Sequence, residues 1–352
     1  MLSRVAECLY WMGRYVERAE NLARIVDVNS QVMLDLPYEQ SQRLEADWSP
    51  VLDSLGEDEA YAELGRTVDR MSVTYFLLFA REHPNSIVSC LSAARENART
   101  VRSDISVEMW EQMNRSYLWF TSEDATEIFQ RDHYEFFRQI KEVSHLFQGI
   151  TDSSMQHGEG WEFIQLGKYI ERADKTSRVL DEKYHLLRHA GYQGDLETME
   201  WSAVLRSCSA RQAYQRVYVA AVKPQAVAEL LLLNAVFPRS VRFCVGEIDR
   251  SLRVISGVKR GHFSNLAEKL VGQLLAELCF SEIEDVYAHG LHEAVDRIQL
   301  QLNHIGEAIF QTYIDPGLVT EEIVQHLTND RRQTQSQSQS QSAGKQEQSQ
   351  HR

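Results

Sequence analysis

Proline, paired cysteine and long apolar runs are all scarce in this chain of 352 residues. Only six prolines occur, and none lies between Pro84 and Pro224, so that long stretch carries no obligatory helix breaker. The five cysteines are scattered and form no CxxC pair, which indicates neither a disulfide framework nor a zinc knuckle. We therefore expect a core that is held by packing alone, in a reducing cytoplasm.

A membrane span and a basic surplus are also missing. The longest apolar stretches, residues 71–80 and 229–237, are well short of the roughly 20 residues that a membrane helix needs. Charged side chains within residues 1–20 interrupt any secretion signal. The net charge of −14 opposes nonspecific binding to nucleic acid, because a duplex binder needs a basic face. We expect a cytoplasmic protein that binds neither nucleic acid nor membrane.

Apolar residues recur at helical spacing through nearly the whole chain, while alternating runs of Val, Ile and Thr are missing. The sequence therefore predicts an all-α protein. From residue 330 onward a Ser/Gln repeat almost lacks apolar residues, which predicts a disordered tail over 330–352. We expect helices over residues 2–35, 57–82, 85–119, 124–150, 157–190, 197–222, 224–235, 238–256, 260–285 and 287–313.

An internal repeat is the most informative pattern. Residues 13–27, GRYVERAENLARIVD, return 154 residues later as residues 167–181, GKYIERADKTSRVLD. Residues 84–101 match residues 238–255 at the same offset, and the similarity is lost after Val101. Two blocks in one register predict two diverged tandem copies of one helical unit, packed as a multi-helix bundle about a pseudo-twofold axis. We expect the copies to occupy residues 1–155 and 156–329.

The two copies share a polar stripe beside the apolar face of their first helix. One interpretation is a solvated ladder of ion pairs, each worth about 0.2–0.5 kcal/mol. The other is that the stripes meet across the axis, where two glycines permit close helix approach, and line a cleft. Arg14, Arg18 and Asn21 are expected elsewhere on the helix. The stripe consists of Gly13, Glu17, Glu20, Arg24 and Asp27, and of Gly167, Glu171, Asp174, Arg178 and Asp181.

A second charged stripe lies within residues 94–102, ARENARTVR. Arg95, Arg99 and Arg102 fall within roughly 60° of one another beside apolar positions, so we expect them to be partly buried. A buried guanidinium needs an anionic partner, because stranding its charge costs several kcal/mol. That partner is either an internal carboxylate, from Glu17, Glu20, Glu171 or Asp174, or a phosphate or substrate carboxylate in a functional cleft.

Recognisable metal and catalytic motifs are missing. His185 with His189, and His289 with His292, have helical spacing, but the ExxH pairs of a di-iron bundle and the HExxH of a zinc peptidase do not occur. A phosphate-cradling glycine loop and a GxSxG turn are absent as well. We therefore expect this chain to bind no metal and no cofactor of its own.

Four segments of the sequence are distinctive: the opening MLSRVAECLYWMGRYVERAENLAR, ARENARTVR at residues 94–102, LGKYIERAD at residues 166–174 and FPRSVRF at residues 237–243. Together they resemble the bacterial alpha-E domain family over residues 1 to about 315. This resemblance implies an association with a circularly permuted ATP-grasp protein, which binds ATP and Mg²⁺, and often with a transglutaminase-like peptidase. It also implies a pathway that makes or modifies peptide-type amide bonds.

Two hypotheses of different classes follow. In the first, the chain is a noncatalytic helical partner of an ATP-grasp amide ligase and shapes or completes its substrate site. In the second, it is an enzyme acting on an amino acid or peptide, with Glu17 or Glu171 as a general base of raised pKa and the Arg95, Arg99, Arg102 stripe binding carboxylates. The candidate ligand- or partner-binding residues are Glu17, Glu20, Arg24, Arg95, Glu96, Arg99, Arg102, Glu171, Arg172, Asp174, Arg178, Arg239 and Arg242.

Overall fold

The computed structural model describes residues 1–35, 47–190, 195–219 and 221–315. Over these residues the protein is all-α and contains no β-strand, which confirms the predicted fold class. A short π-helical turn, Phe310–Ile314, ends the described part of the chain. The sixteen α-helices of the described residues are α1 (Ser3–Asp35), α2 (Ser49–Asp53), α3 (Asp58–Ala62), α4 (Arg70–Phe79), α5 (Ile87–Thr100), α6 (Val107–Phe120), α7 (Glu123–Arg131), α8 (His133–Ser154), α9 (Glu159–Ala190), α10 (Asp195–Ser207), α11 (Arg211–Val217), α12 (Pro224–Leu233), α13 (Val241–Ser256), α14 (Leu266–Phe280), α15 (Ile283–His289) and α16 (Leu291–Ile309).

The two longest helices, α1 and α9, lie side by side in the centre of the molecule. The amino group of Met1 contacts the Glu159 carboxylate at 2.9 Å, and farther along both helices Glu17 contacts Arg172. The two helices therefore run in the same direction. Helix α1 also packs against α5 and α8, while α9 packs against α13 and α16. Most of the apolar core lies between these central helices and the shorter ones around them.

Glycine allows the backbones of α1 and α9 to touch. A Cβ on Gly13 would lie within 3.3 Å of three backbone atoms of Ile164, and one on Gly167 would lie 3.0 Å from the carbonyl carbon of Tyr10. Side chains cannot be accommodated against fixed backbone at these distances. The close approach expected at the two repeated glycines is therefore present.

Helices α5 and α13 begin with the same capping arrangement. The Ser86 hydroxyl accepts the N–H of the residue three positions on and donates to the Ala80 carbonyl. The Ser240 hydroxyl likewise accepts from the residue three positions on and donates to the Asn234 carbonyl. Such capping satisfies an N–H group that the helix cannot pair itself. Helix capping therefore explains why the second repeated block has a serine at both matching positions.

The ends of several helices follow the offset of 154 residues found in the sequence. Helix α12 begins and ends 154 residues after α4, and α13 begins 154 residues after α5. Helices α6 and α14 begin farther apart, because α13 and the connection at residues 257–265 are longer than α5 and the connection at residues 101–106. This change of offset accounts for the loss of similarity after Val101. A tandem duplication predicts all these matches, and the duplication and its boundaries stay predictions.

Several predicted long helices are wrong because each contains a break. Asp69, Ser106 and Asp132 accept backbone N–H groups through their side chains and so begin new helices inside the predicted spans. The apolar periodicity continues across such breaks and hides them. The predicted tail, residues 330–352, lies outside the described residues. The spans that divide are 57–82 into α3 and α4, 85–119 into α5 and α6, 124–150 into α7 and α8, and 197–222 into α10 and α11. The predicted helices 260–285 and 287–313 correspond to α14 and α16, and the short α15 lies across the boundary between them.

Replacing a contact glycine tests the central packing. Gly13→Ala should destabilise the fold by about 1–3 kcal/mol, because the added methyl group meets the backbone of Ile164. Urea unfolding followed by circular dichroism measures the change. Gly149→Ala on α8 is the matched control: its Cβ meets nothing within 4 Å, so it should stabilise by up to about 1 kcal/mol through helix propensity. Equal midpoints for Gly13→Ala and the native chain would contradict the contact.

Candidate functional site

The Glu-Arg dipeptides at residues 17–18 and 171–172 form reciprocal ion pairs between α1 and α9. Glu17 accepts hydrogen bonds from Nε and Nη2 of Arg172, both at 2.8 Å. Glu171 accepts from the same two nitrogens of Arg18, at 2.6 and 2.9 Å. Both pairs are bidentate, which is the strongest arrangement of guanidinium and carboxylate. The two glutamate side chains are at most 1% exposed.

A second arginine faces each of these buried glutamates. Nε of Arg14 donates to Glu171 at 2.9 Å, from one helical turn before Arg18. Nη1 of Arg239, which precedes α13, donates to Glu17 at 3.0 Å. Each carboxylate is therefore surrounded by two positive charges, which offset the cost of removing it from water.

These charges set the ionisation of both glutamates. Burial alone would raise the pKa of Glu17, but the positive charges of Arg172 and Arg239 outweigh it and lower that pKa to about 2. Burial opposes the charges of Arg18 and Arg14 in the same way at Glu171, whose pKa also falls well below its ordinary value. Both side chains are therefore ionised at neutral pH and hold no proton.

The structure does not favour the general-base role expected for Glu17 or Glu171. A base needs a lone pair that is free to reach substrate, and both carboxylates are instead occupied by arginine. The expected ladder has its i,i+4 pairs, Glu20 with Arg24 and Asp174 with Arg178. It is not a solvated face, because Glu20, Arg24 and Asp174 are buried. The glutamates of both stripes lie between α1 and α9, where each pairs with an arginine outside the stripes.

The rest of the first stripe joins the Glu17 side of the same cluster. Nη2 of Arg239 donates to Glu20 at 2.6 Å, and Glu20 also pairs with Arg24 one turn along α1. Arg24 further donates to the Ser209 hydroxyl. Burial, helped by the charge of Arg239, lowers the pKa of Arg24 to about 9. Asp27 accepts a hydrogen bond from Lys141 of α8 at 2.8 Å.

Arg14, Arg18 and Asn21 lie on α1 outside the stripe, as expected, yet they join the same cluster. Arg14 and Arg18 bind Glu171, and Oδ1 of Asn21 accepts from Arg239 at 3.1 Å. Helix α1 is enclosed on several sides, so residues beside the stripe also meet partners. One signal was available in the sequence, because Arg18 is repeated as Arg172 at the common offset.

The Arg95 stripe lies apart from this cluster. Arg99 and Arg102 are exposed, contrary to the expected burial, and the Arg99 side chain is 61% exposed. Arg99 and Thr100 lie on the exposed side of the last turn of α5, while Ala98 in that turn and Val101 after it are buried. Arg95 and Arg99 both pair with the exposed Glu96, and the described contacts of these arginines include no carboxylate of the polar stripe. The guanidinium groups of Arg95 and Arg102 lie 5.6 and 5.3 Å from the ring centre of Trp110.

A cavity of about 520 Å³ opens beside the Glu171 pair. Arg14 and Arg18 of α1 line it together with Lys175 and Arg178 of α9. Nε of Arg178 donates to both oxygens of Asp174, at 3.0 and 3.1 Å. The four cations therefore face one solvent-connected space. The same wall contains Tyr10, Trp11, Glu57, Asn85, Glu307 and Phe310.

A second cavity, of about 370 Å³, opens beside the Glu17 pair. Lys168 lines it, at the position that matches Arg14 at the repeat offset. Burial, reinforced by the charge of Arg172, lowers the pKa of Lys168 to about 8. Glu17 and Asp152 also line this space. Each cavity therefore lies beside one of the two reciprocal ion pairs, but the charged residues that line the two cavities differ.

The remaining candidates have local structural roles. Nη1 of Arg242 donates to the Leu233 carbonyl at 3.2 Å, which helps to end α12. His289 contacts a backbone carbonyl of its own helix, and His292 contacts Asp181 at 2.7 Å. The side chains of His185 and His189 lie outside the described residues. In the described part of the chain, no group of three or more His, Cys, Asp or Glu is arranged to hold a metal ion.

The dipeptide Glu-Arg occurs in the sequence only at residues 17–18 and 171–172. A family model described as a predicted alpha-helical domain with a conserved ER motif matches residues 1–314. This chain belongs to the Alpha-E family. In this Alpha-E chain both Glu-Arg dipeptides hold the central helices together, which gives the motif a structural explanation.

Relatives of this Alpha-E chain occur in mycobacteria. An uncharacterized protein of Mycobacterium bovis and one of Mycobacterium tuberculosis are each 27% identical to it over 335 residues. The match covers 88% of this chain but 37% of either relative, so the chain spans little more than a third of their length. No solved structure matches it. Among the described helices, none combines the length and apolar character that crossing a membrane requires.

Removing one buried carboxylate tests the reciprocal pairs. Glu171→Gln leaves Arg14 and Arg18 without an anion, so it should cost about 3–5 kcal/mol of unfolding free energy. Urea unfolding measures this loss. Glu135→Gln breaks an exposed pair with Arg138 and should leave stability nearly unchanged. A Glu171→Gln loss no larger than that of this control would show that the pair is dispensable.

The pH dependence of stability tests the ionisation of Glu17. Its folded pKa of about 2 lies below its ordinary value of 4.5, so the folded state binds the proton less readily than the unfolded chain. The resulting stabilisation is complete above pH 4.5 and is lost as the pH falls toward 2. Glu17→Gln should lower the melting temperature at neutral pH and flatten its fall over this range. If melting temperature fell with pH in the same way for the native chain and for Glu17→Gln, the low pKa of Glu17 would be contradicted.

Proposed function

We propose that this chain is a noncatalytic helical partner of an ATP-grasp-type amide ligase, whose substrate site it shapes or completes. One observation carries the proposal: Glu17 and Glu171, the foremost candidates for a catalytic base, are occupied by ion pairs between α1 and α9. Their low pKa values fit a structural role. The molecule also offers to solvent one group of arginines, Arg95, Arg99 and Arg102, and a cavity lined by four cations, which suit binding.

The length of the mycobacterial relatives supports a partner role. The matched part is 37% of each relative, so most of each polypeptide consists of other sequence. Segments held in one polypeptide meet at high effective concentration, which favours function through mutual contact. We expect the same partnership for this chain, within one polypeptide or between separate ones, in the cytoplasm.

We assign the docking face to the exposed arginine and tryptophan surface formed by Arg95, Arg99, Arg102 and Trp110. Arginine and tryptophan are enriched among the residues that dominate binding energy at interfaces. Trp110 lies beneath two guanidinium groups, and Arg99 extends into solvent. These three arginines are opposed by Glu96 alone among the ion pairs described for them. The remaining positive charge, on a chain of net charge −14, would orient an acidic partner surface during encounter.

In this proposal ATP and Mg²⁺ are bound by the ligase, and this chain supplies no cofactor. A transglutaminase-like peptidase of the same pathway is a second expected partner. The alternative, in which the chain itself is an enzyme acting on an amino acid or peptide, required Glu17 or Glu171 as a base. Because arginine occupies both carboxylates, neither is free to accept a proton from a substrate, and we favour the partner role.

Reconstitution with a purified ATP-grasp ligase from the same cell tests the proposal. The two proteins should co-elute as a complex. ATP-dependent amide formation, measured as ADP release with amine and carboxylate substrates, should rise by about tenfold when this chain is added, in line with typical coupling between bound proteins. A ligase that neither binds this chain nor changes its turnover would contradict the proposal.

A charge reversal tests the assigned face. Arg102→Glu should weaken the complex by about tenfold or more, because it places like charges across the interface. Arg138→Glu is the control, since Arg138 is also exposed and paired with glutamates but lies on α8 away from Trp110. Equal affinities for both variants would move the docking face elsewhere while leaving the partnership itself intact.

A further inference from the structure

The cavity of about 520 Å³ has guanidinium groups with unused donors. Arg18 uses all three of its nitrogens, on Glu171 and Asn85. Arg14 uses Nε on Glu171 and reaches the Tyr10 hydroxyl with Nη1 at a long 3.4 Å. Arg178 uses only Nε, on Asp174. Among the described contacts, Nη2 of Arg14 and both terminal nitrogens of Arg178 donate no hydrogen bond, so they are available to a ligand.

The charges around this cavity fit a ligand with one carboxylate. The four cations Arg14, Arg18, Lys175 and Arg178 are opposed by the buried carboxylates of Glu171, Asp174 and Glu57 and by the exposed Glu307. Apart from the exposed Glu307, these groups carry one positive charge in excess, and burial also raises the pKa of Glu57. A ligand carboxylate would offset this charge and match the forked donors of arginine. A phosphate dianion would instead leave a negative charge in a partly buried space.

The remainder of the wall suits a ligand that also has an amino group and a side chain. Glu307 lies exposed at the edge of the cavity, where its carboxylate can accept from an ammonium group. Trp11, Leu302 and Phe310 supply apolar surface. The volume lies in the range of about 300–1,000 Å³ that is usual for small-molecule sites.

We infer that this cavity binds the free carboxylate of an amino acid or short peptide, through Arg14 and Arg178 with the charge of Lys175 beside them. The sequence placed carboxylate binding on the Arg95 stripe, whose residues line neither cavity. The second cavity is lined by one lysine with Glu17 and Asp152, and no arginine lines it, so it offers a carboxylate no forked donor. The site does not depend on the ligase proposal, because its ligand binds this chain alone.

A pair of peptides that differ in one group tests the ligand class. Trialanine should bind the full chain by isothermal titration calorimetry, and its C-terminal amide should bind at least about tenfold more weakly, because the amide cannot pair with arginine. Inorganic phosphate should compete more weakly than trialanine. Equal binding of the acid and the amide, tighter binding of phosphate, or no binding of trialanine would each overturn the inference.

Two variants locate the site. Arg178→Gln should weaken trialanine about tenfold. Its matched control is Arg253→Gln, which breaks the same i,i+4 pair with an aspartate on α13, outside the cavity. Arg253→Gln should therefore leave trialanine binding unchanged. An unchanged affinity in folded Arg178→Gln would exclude Arg178 as a ligand contact and overturn the inference.

A second variant closes the cavity without removing charge. A Cβ on Gly306 would meet only the Tyr10 hydroxyl, at 3.9 Å, so Gly306→Leu should extend into the cavity and abolish trialanine binding. Gly272→Leu on α14 is its control, because a Cβ there meets nothing within 4 Å and the residue does not line the cavity. Circular dichroism confirms that each variant is folded. Native affinity in folded Gly306→Leu would place any bound peptide elsewhere.

Discussion

The arrangement of this fold depends on burying two carboxylates between its two longest helices. Removing an ion from water costs several kcal/mol, and only close, well-shaped pairing offsets that cost. Glu17 obtains its bidentate partner from α9, and Glu171 obtains its partner from α1. Neither helix can satisfy its own glutamate, so each requires the other in place. The Glu-Arg dipeptide works as a connection between helices because the exchange is reciprocal.

The ion pairs also fix the register of the two helices. The glycine contacts at Gly13 and Gly167 lie one turn before Glu17 and Glu171. Sliding α9 by one turn, about 5.4 Å, would bring side chains onto the touching backbones and separate both carboxylates from their arginines. Apolar packing alone tolerates several such positions, whereas buried charges tolerate one. Specificity of packing, more than net stability, is therefore the contribution of these pairs.

The sequence was sufficient to predict the all-α class, the central helices and the glycine contact, because apolar periodicity and the repeat report local geometry directly. It did not predict which face of α1 was enclosed, so Arg18 was set aside although it repeats as Arg172. It also predicted partial burial of Arg99 and Arg102, whereas both are exposed although their neighbours Ala98 and Val101 are buried. Helix periodicity defines a face, but only tertiary packing decides whether that face meets protein or water.

The matched positions of the two halves differ where the cavities differ. Arg239 precedes α13 and donates from its guanidinium group to Glu17 and Glu20. Asn85, which precedes α5 at the position matching Arg239, is neutral. Glu20, the counterpart of Asp174, is thereby shared between Arg24 and Arg239. Arg24 uses its terminal nitrogens on Glu20 and on the Ser209 hydroxyl. Its counterpart Arg178 keeps both terminal nitrogens within a solvent-connected space, which makes the larger cavity the place where a ligand can take part in the charge network.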